Sequence, residues 1–156
     1  MKAVNIVDDA IVQEVTIAGS AERIFDALTK PEVLLKWWHA EGKFRVTHVE
    51  SDLRVGGRWL MRVEGSCGPA SSCTIVTGTY LLIRRPIQLI FTWNREEEES
   101  PETTVQWDLE ENSGTTIVRV THSGLTSDAL RNRNGGWPMI QQLLKGYIER
   151  PPSSEE

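Results

Sequence analysis

His122, Tyr80, Thr116 and the pair Cys67 and Cys73 are the side chains of this chain that could do chemistry, and the settings they occupy narrow what that chemistry is. His122 ends the stretch Thr115 to His122, where Thr116, Val118, Val120 and His122 alternate and so share one face of a strand. A histidine on such a face can act as an acid–base group or hold a ligand, and it can equally be a hydrogen-bonded core residue. The same inner face carries no Asp, Glu or Lys, so His122 has no evident carboxylate partner for proton transfer. Tyr80 and Thr116 can each donate a hydrogen bond to a ligand. Cys67 and Cys73 are separated by Gly-Pro-Ala-Ser-Ser. A hairpin-tip disulfide is geometrically conceivable, but without an export signal free thiols are the expectation. The spacing is not a CxxC motif, and three scattered histidines do not complete a zinc site, so no metal is expected. There is no GxSxG elbow, phosphate loop or HExxH, and no cofactor is expected.

These side chains must be positioned by a small set of elements. Near the C-terminus, Trp137, Ile140, Leu144 and Tyr147 recur at steps of three and four with Ile148 alongside, while Gln141, Gln142, Lys145 and Glu149 fall on the other side. That is an amphipathic helix, with Pro138 suited to its first turn and Pro151-Pro152 stopping it. Its apolar stripe must lie on something, and most of what precedes it reads as strand. Ala10 to Ile17 is a first strand. Ser20 is placed to cap a helix from Ala21 to Leu28, and Pro31 opens a second short one, Glu32 to Lys36, leading into Trp37 and Trp38. Strands follow over Phe44 to Val49, Arg58 to Val63, Cys73 to Ile83, Gln88 to Trp93, Thr103 to Leu109 and Thr115 to His122. Short polar loops join them, which makes an antiparallel meander. Arg85-Pro86 is a tight turn, Glu96 to Glu99 reads as a solvated hairpin loop, and a helical turn is expected over Ala129 to Asn132.

Six tryptophans in 156 residues must fill a large core or line a cavity. The inward-facing positions are Trp59, Met61, Tyr80, Phe91, Trp93, Trp107, Val118, Val120 and His122, faced by Trp137, Ile140 and Leu144. Both readings remain open for them. Trp37, Trp38 and His39 either cap a cavity entrance or seal the core edge.

The length fits one domain, taken as residues 1–150, with 151–156 as a disordered tail. With 17 basic against 22 acidic residues the net charge is −5, which argues against nucleic-acid binding and against a polybasic membrane anchor. No apolar run is long enough to span a bilayer. Two acids in the first nine residues do not suit a signal peptide, so a cytoplasmic location is expected.

The string Ala21 to Trp38 (AERIFDALTKPEVLLKWW) resembles the opening of the SRPBCC proteins related to the activator of Hsp90 ATPase, in the START/Bet v 1-like superfamily. Gly56-Gly57-Arg58-Trp59, Gly78-Thr79-Tyr80, Phe91-Thr92-Trp93, Thr121 to Leu125 and Gly136-Trp137-Pro138 follow in the family's order, so the resemblance spans roughly Val12 to Ile148. It implies an α+β helix-grip fold: a curved antiparallel sheet of about seven strands around a long C-terminal helix, with two short helices after the first strand. It also implies an apolar cavity between sheet and helix for a small hydrophobic ligand. Trp38, Trp59, Met61, Tyr80, Phe91, Trp93, Trp107, Val118, Val120, His122, Trp137, Ile140 and Leu144 are the expected lining. The extended N-terminal co-chaperone domain of the eukaryotic Hsp90 activators is not seen. The expected function is binding of a small hydrophobic molecule. A protein-interaction module, with a chaperone or a second copy as partner, is the alternative, and its sign would be an outward apolar patch around Ile75, Ile90 and Ile117. A small cyclase or hydrolase is the third reading.

Overall fold

The computed structural model of the chain describes residues 5–7, 9–40, 44–65, 73–95, 102–128, 131 and 136–150. In chain order these form β1 (Asn5–Val7), β2 (Ala10–Ile17), α1 (Ala21–Thr29), α2 (Pro31–Trp37), β3 (His39–Ala40), β4 (Phe44–Ser51) and β5 (Arg58–Gly65). They continue as β6 (Cys73–Arg84), β7 (Gln88–Arg95), β8 (Thr103–Asn112), β9 (Thr115–Ser123) and α3 (Trp137–Glu149). The strands make one sheet in the order β1-β2-β9-β8-β7-β6-β5-β4-β3. All seven expected strands are present. The two additional strands, of three and two residues, extend the sheet at its two ends. Cys67, the acidic run Glu96–Glu99, most of the turn expected over 129–132 and the tail 151–156 lie outside the described residues, as does the side chain of Cys73.

The topology follows from short connections. From β3 to β9 each strand pairs antiparallel with its successor. The Asn112–Thr115 turn is closed by two residues of positive φ, Ser113 at 56° and Gly114 at 81°, the pairing that matches the twist of a two-residue hairpin. The first long strand, β2, then pairs with the last, from Ile11 opposite His122 to Ile17 opposite Thr116. The link between β2 and the far end of the sheet is α1 and α2. Ser20 accepts from the Arg23 N–H at 3.2 Å and starts α1, while Pro31 occupies the first turn of α2, one residue ahead of the expected start. The buried Trp37 indole N–H donates to the Ala27 carbonyl at 2.8 Å and binds the two helices together. Trp37 therefore seals the core edge.

Strand alternation sends one residue in two to the concave face. Ile11, Val15 and Ile17 of β2, Val105, Trp107 and Leu109 of β8, and Val118, Val120 and His122 of β9 are buried there. α3 lies across this face, burying Trp137, Ile140, Gln141, Leu144, Tyr147 and Ile148. The expectation that Gln141 faces away is wrong. Its amide is 2% exposed and donates to the carbonyls of Gln13 and Val118, each at 3.1 Å. A sheet that curls around the helix covers more than the apolar stripe, so a polar residue at the stripe's margin is enclosed and needs partners. The C-terminal end of α3 is held by charge. The Arg23 guanidinium donates to the Ile148 carbonyl, Lys145 Nζ donates to the Thr16 carbonyl at 2.9 Å, and Glu149 accepts from the Ala18 N–H at 2.9 Å.

The outward isoleucines do not share a row. Register places Ile75 beside Arg62, Ile90 between Leu82 and Gln106, and Ile117 between Thr16 and Glu110. Ile117 is exposed, and the other two are half-buried. No described helix is long and apolar enough to cross a membrane.

Candidate functional site

The concave face of β5 to β7 is where the sheet carries its largest side chains. Trp59 and Met61 project from β5, Val76 and Tyr80 from β6, and Phe91 and Trp93 from β7, all by the same two-residue period. Irregular pairing between Tyr80 and Leu82 marks a bulge in the β6–β7 ladder, which changes the phase of the strand beyond Tyr80. Gly78 lies opposite Trp59 on the neighbouring strand. A Cβ there would come within 2.6 Å of Trp59 Nε1 and 1.9 Å of the Thr92 carbonyl oxygen, so only glycine lets the indole lie against the sheet.

The rings form a continuous cluster. Trp59 meets Phe91 edge to face at 5.3 Å between centroids and Trp93 at 5.7 Å. Trp93 meets Trp137 of α3 at 5.6 Å, and Trp107 meets the same ring at 5.7 Å. Trp38, at the end of α2, reaches Trp137 at 6.3 Å. Edge-to-face and tilted pairings are the arrangements that aromatic rings prefer.

Two pockets that share Trp38, Met61 and Trp93 lie among them, called here the outer and the inner compartment. The outer compartment has a volume of about 310 Å³ and is walled by Trp38, Met61, Val76, Trp93, Trp137 and Ile140. Phe44, Val63, Thr74 and Gly136 form its rim. The inner compartment, about 40 Å³, lies among Leu28, Leu34, Val49, Ser51, Trp59, Tyr80, Phe91 and Trp107. Trp38, Met61 and Trp93 border both. The outer compartment sits at the low end of the range of about 300–1,000 Å³ found for small-molecule pockets.

Among the described residues, neither compartment has a charged side chain in its lining. The polar groups are few. Ser51 and Tyr80 share a hydrogen bond of 2.8 Å between their hydroxyls. Burial pushes the Tyr80 hydroxyl above its ordinary pKa, and the bond with Ser51 lowers it by less, so it stays protonated at neutral pH. The indole N–H groups of Trp59 and Trp93 are buried and have no partner among the described residues. An unmade hydrogen bond of this kind costs about 1–3 kcal/mol, and two in one cluster are unusual.

His122 has a different place. It is fully buried behind the cavity, its ring 5.7 Å from those of Trp93 and Trp137. The Trp137 N–H donates to His122 Nδ1 at 3.1 Å, and Nε2 lies 2.7 Å from Thr103 Oγ1, which itself donates to the Trp93 carbonyl at 3.2 Å. Indole can only donate, so Nδ1 accepts and the ring proton sits on Nε2. His122 thus links α3 to the ends of β7 and β8.

Of the sequence-derived candidates, Trp38, Trp59, Met61, Tyr80, Phe91, Trp93, Trp107, Trp137 and Ile140 line one or both compartments. Val118, Val120, His122 and Leu144 pack as fully buried core and border neither. Thr116, also fully buried, donates to the Gly19 carbonyl at 2.7 Å. His39 belongs to the edge strand β3 and pairs with Arg45. Sequence reasoning missed Phe44, Val63, Thr74, Val76 and Gly136 of the outer lining and Leu28, Leu34, Val49 and Ser51 of the inner one. Val63 continues the phase of Trp59 and Met61, and Val76 and Thr74 continue that of Tyr80, so period two extended along β5 and β6 would have found three of them. Among the described residues, no group of three or more His, Cys, Asp or Glu side chains gathers to hold a metal ion.

A curved antiparallel sheet gripping a C-terminal helix, with an aromatic-walled cavity between them, defines a START-like helix-grip domain. The family of activator of Hsp90 ATPase homolog 1-like proteins matches residues 18–149, and the chain belongs to it. Solved structures agree on the fold. A Chromobacterium violaceum protein, CV1439, is 23% identical with a TM-score of 0.80, over 93% of this chain and all of its own. An AHSA1-like protein from Aeromonas hydrophila is 25% identical with a TM-score of 0.72, over 90% of this chain and 92% of its own. DynU16, from the dynemicin biosynthetic locus, is 20% identical with a TM-score of 0.69. That likeness covers 92% of this chain and 48% of DynU16. Among curated proteins the chain has no match.

Proposed function

We propose that this protein binds a small hydrophobic molecule in the outer compartment between the sheet and α3. The observation that carries the reading is the cavity of about 310 Å³ walled by Trp38, Met61, Trp93, Trp137 and Ile140. Folding alone gives no reason to keep apolar walls apart, because closing the space would gain dispersion and remove apolar surface from water. The location supports it further, since the space between sheet and helix is where START-like domains hold hydrophobic ligands. A relative in a natural-product biosynthetic locus is in keeping with a small organic cargo. The lining provides shape and apolar surface, and among the described residues no pair of ionisable groups for proton transfer.

Native mass spectrometry of freshly purified protein, followed by extraction, tests this directly. A retained molecule near one-to-one stoichiometry, displaced or exchanged in a Trp137→Ala variant that widens the compartment, is the expected result. Protein that emerges ligand-free and takes up none of a panel of apolar aromatic probes would refute the reading.

A further inference from the structure

Resting on the reading that the cavity binds a hydrophobic molecule, we propose that Met61 sets how far that molecule reaches. Its side chain is a movable partition between the two compartments, and its displacement lets the narrow, unbranched end of an elongated apolar ligand pass from the outer compartment into the inner one.

The position of Met61 follows from strand geometry. Residues two apart on β5 share the concave face, and they change compartment at Met61: Trp59 lines only the inner one, Met61 lines both, and Val63 lines only the outer one. The same step occurs across the strands. Met61 stands opposite Val49 of β4, which lines the inner compartment, and opposite Val76 of β6, which lines the outer. Along β6 the division repeats, with Thr74 and Val76 outer and Tyr80 inner, while Gly78 between them has no side chain to project. Met61 is thus at the boundary in both directions of the sheet.

Among the described residues, Trp38 and Trp93 also border both compartments, but their rings are held. Trp93 meets Trp59, His122 and Trp137 at 5.7, 5.7 and 5.6 Å, and Trp38 lies 5.1 Å from Trp37 and 6.3 Å from Trp137. A flat indole turns as one plate and would break such contacts together. Met61, buried between the two valines, is an unbranched chain with three rotatable bonds and can change rotamer without moving the backbone. The inner compartment measures about 40 Å³, where a single water needs about 10–15 Å³. It therefore accepts a few atoms of a chain and no ring, and the bulkier part of the ligand stays in the outer compartment.

Ethylbenzene and n-hexylbenzene, which differ only in tail length, test this by headspace gas chromatography over the intact protein. Each buried methylene is worth roughly fourfold in affinity, so the wild-type protein should favour n-hexylbenzene by roughly fifteenfold or more. Met61→Ile puts a β-branched side chain of similar volume at the boundary, which suits a strand but is stiff at χ1, so the ratio of the two affinities should fall at least roughly fourfold. In Met61→Ala, which removes the partition, the ratio should stay at or above its wild-type value. In the wild-type complex, isotope-filtered NOEs should join the terminal methyl of n-hexylbenzene to Leu28, Leu34 or Val49 of the inner compartment, a reading that needs no variant to fold. No preference for n-hexylbenzene in the wild type, an unchanged ratio in Met61→Ile, a ratio that falls as far in Met61→Ala as in Met61→Ile, or a tail methyl that meets only outer residues such as Val63 and Ile140 each overturns this proposal while leaving the cavity reading in place. Failure of both hydrocarbons to bind overturns both.

Discussion

Replacing His122 with leucine should destabilise the protein far more than its size change suggests, because the ring is the acceptor for a buried indole. Trp137 is 4% exposed, and its N–H has His122 Nδ1 as its acceptor at 3.1 Å. Stranding that donor costs about 1–3 kcal/mol, and loss of the Nε2 contact to Thr103 Oγ1 adds about 0.5–1.5 kcal/mol. Leucine returns part of this by burying apolar surface in a site of similar volume, so the net loss should be about 2–3 kcal/mol. For a chain of this length that corresponds to a fall in Tm of roughly 4–12 °C. Urea unfolding followed by far-UV circular dichroism is the suitable assay, since indole fluorescence would report the local change as well as unfolding. The decisive comparison is a double-mutant cycle. Trp137→Phe removes the donor, so in the double variant nothing is stranded, and the two losses should combine to at least about 1 kcal/mol less than their sum. A loss below about 1 kcal/mol in His122→Leu, or additivity within about 0.5 kcal/mol, would refute the assignment of His122 as the acceptor that ties α3 to the sheet.

Gln141→Leu keeps the shape and removes two donors to the Gln13 and Val118 carbonyls, so it should cost about 1–3 kcal/mol in urea unfolding. A neutral result would mean that apolar contacts alone seat the helix. Glu149 gives a pH dependence of known sign. The Ala18 N–H, followed by Lys145, holds its carboxyl below the ordinary glutamate value. A depressed folded-state pKa contributes stability that is present above the unfolded pKa and lost as pH falls through the folded one. Between neutral pH and pH 3 the melting temperature of wild-type protein should therefore fall more than that of Glu149→Gln; parallel curves would show that the clamp at the end of α3 does not titrate with folding.

Much of the architecture was legible because it depends on local periodicity. Alternation in Thr103–Leu109 and Thr115–His122, the three-and-four spacing from Trp137 to Ile148, and Ser20 ahead of Ala21 each name an element and its buried face without knowledge of its neighbours. Inward residues of β5 to β7 were identified for the same reason. What period alone could not tell is whether those residues meet. Trp93 and Val118 are equally inward by alternation, yet one borders open space and the other is sealed under the helix, because the height of α3 above each strand varies across a curved sheet. The two edge strands are too short to leave a pattern. Gln141 was misassigned because the width of the buried face of a helix is set by how far its partner wraps around it, and that is a property of the sheet. The same holds for chemistry. Histidine at position 122 is compatible with catalysis, ligand contact or structure until Trp137 and Thr103 are seen to occupy its two nitrogens. The sequence by itself determined which side chains turn toward the interior, since that is fixed by the geometry of a single strand or helix. Only the tertiary structure decided that nine of them surround an opening, and that among the described residues no charged side chain lines it and two buried indole hydrogens have no partner, because each of these depends on distances between residues far apart in the chain.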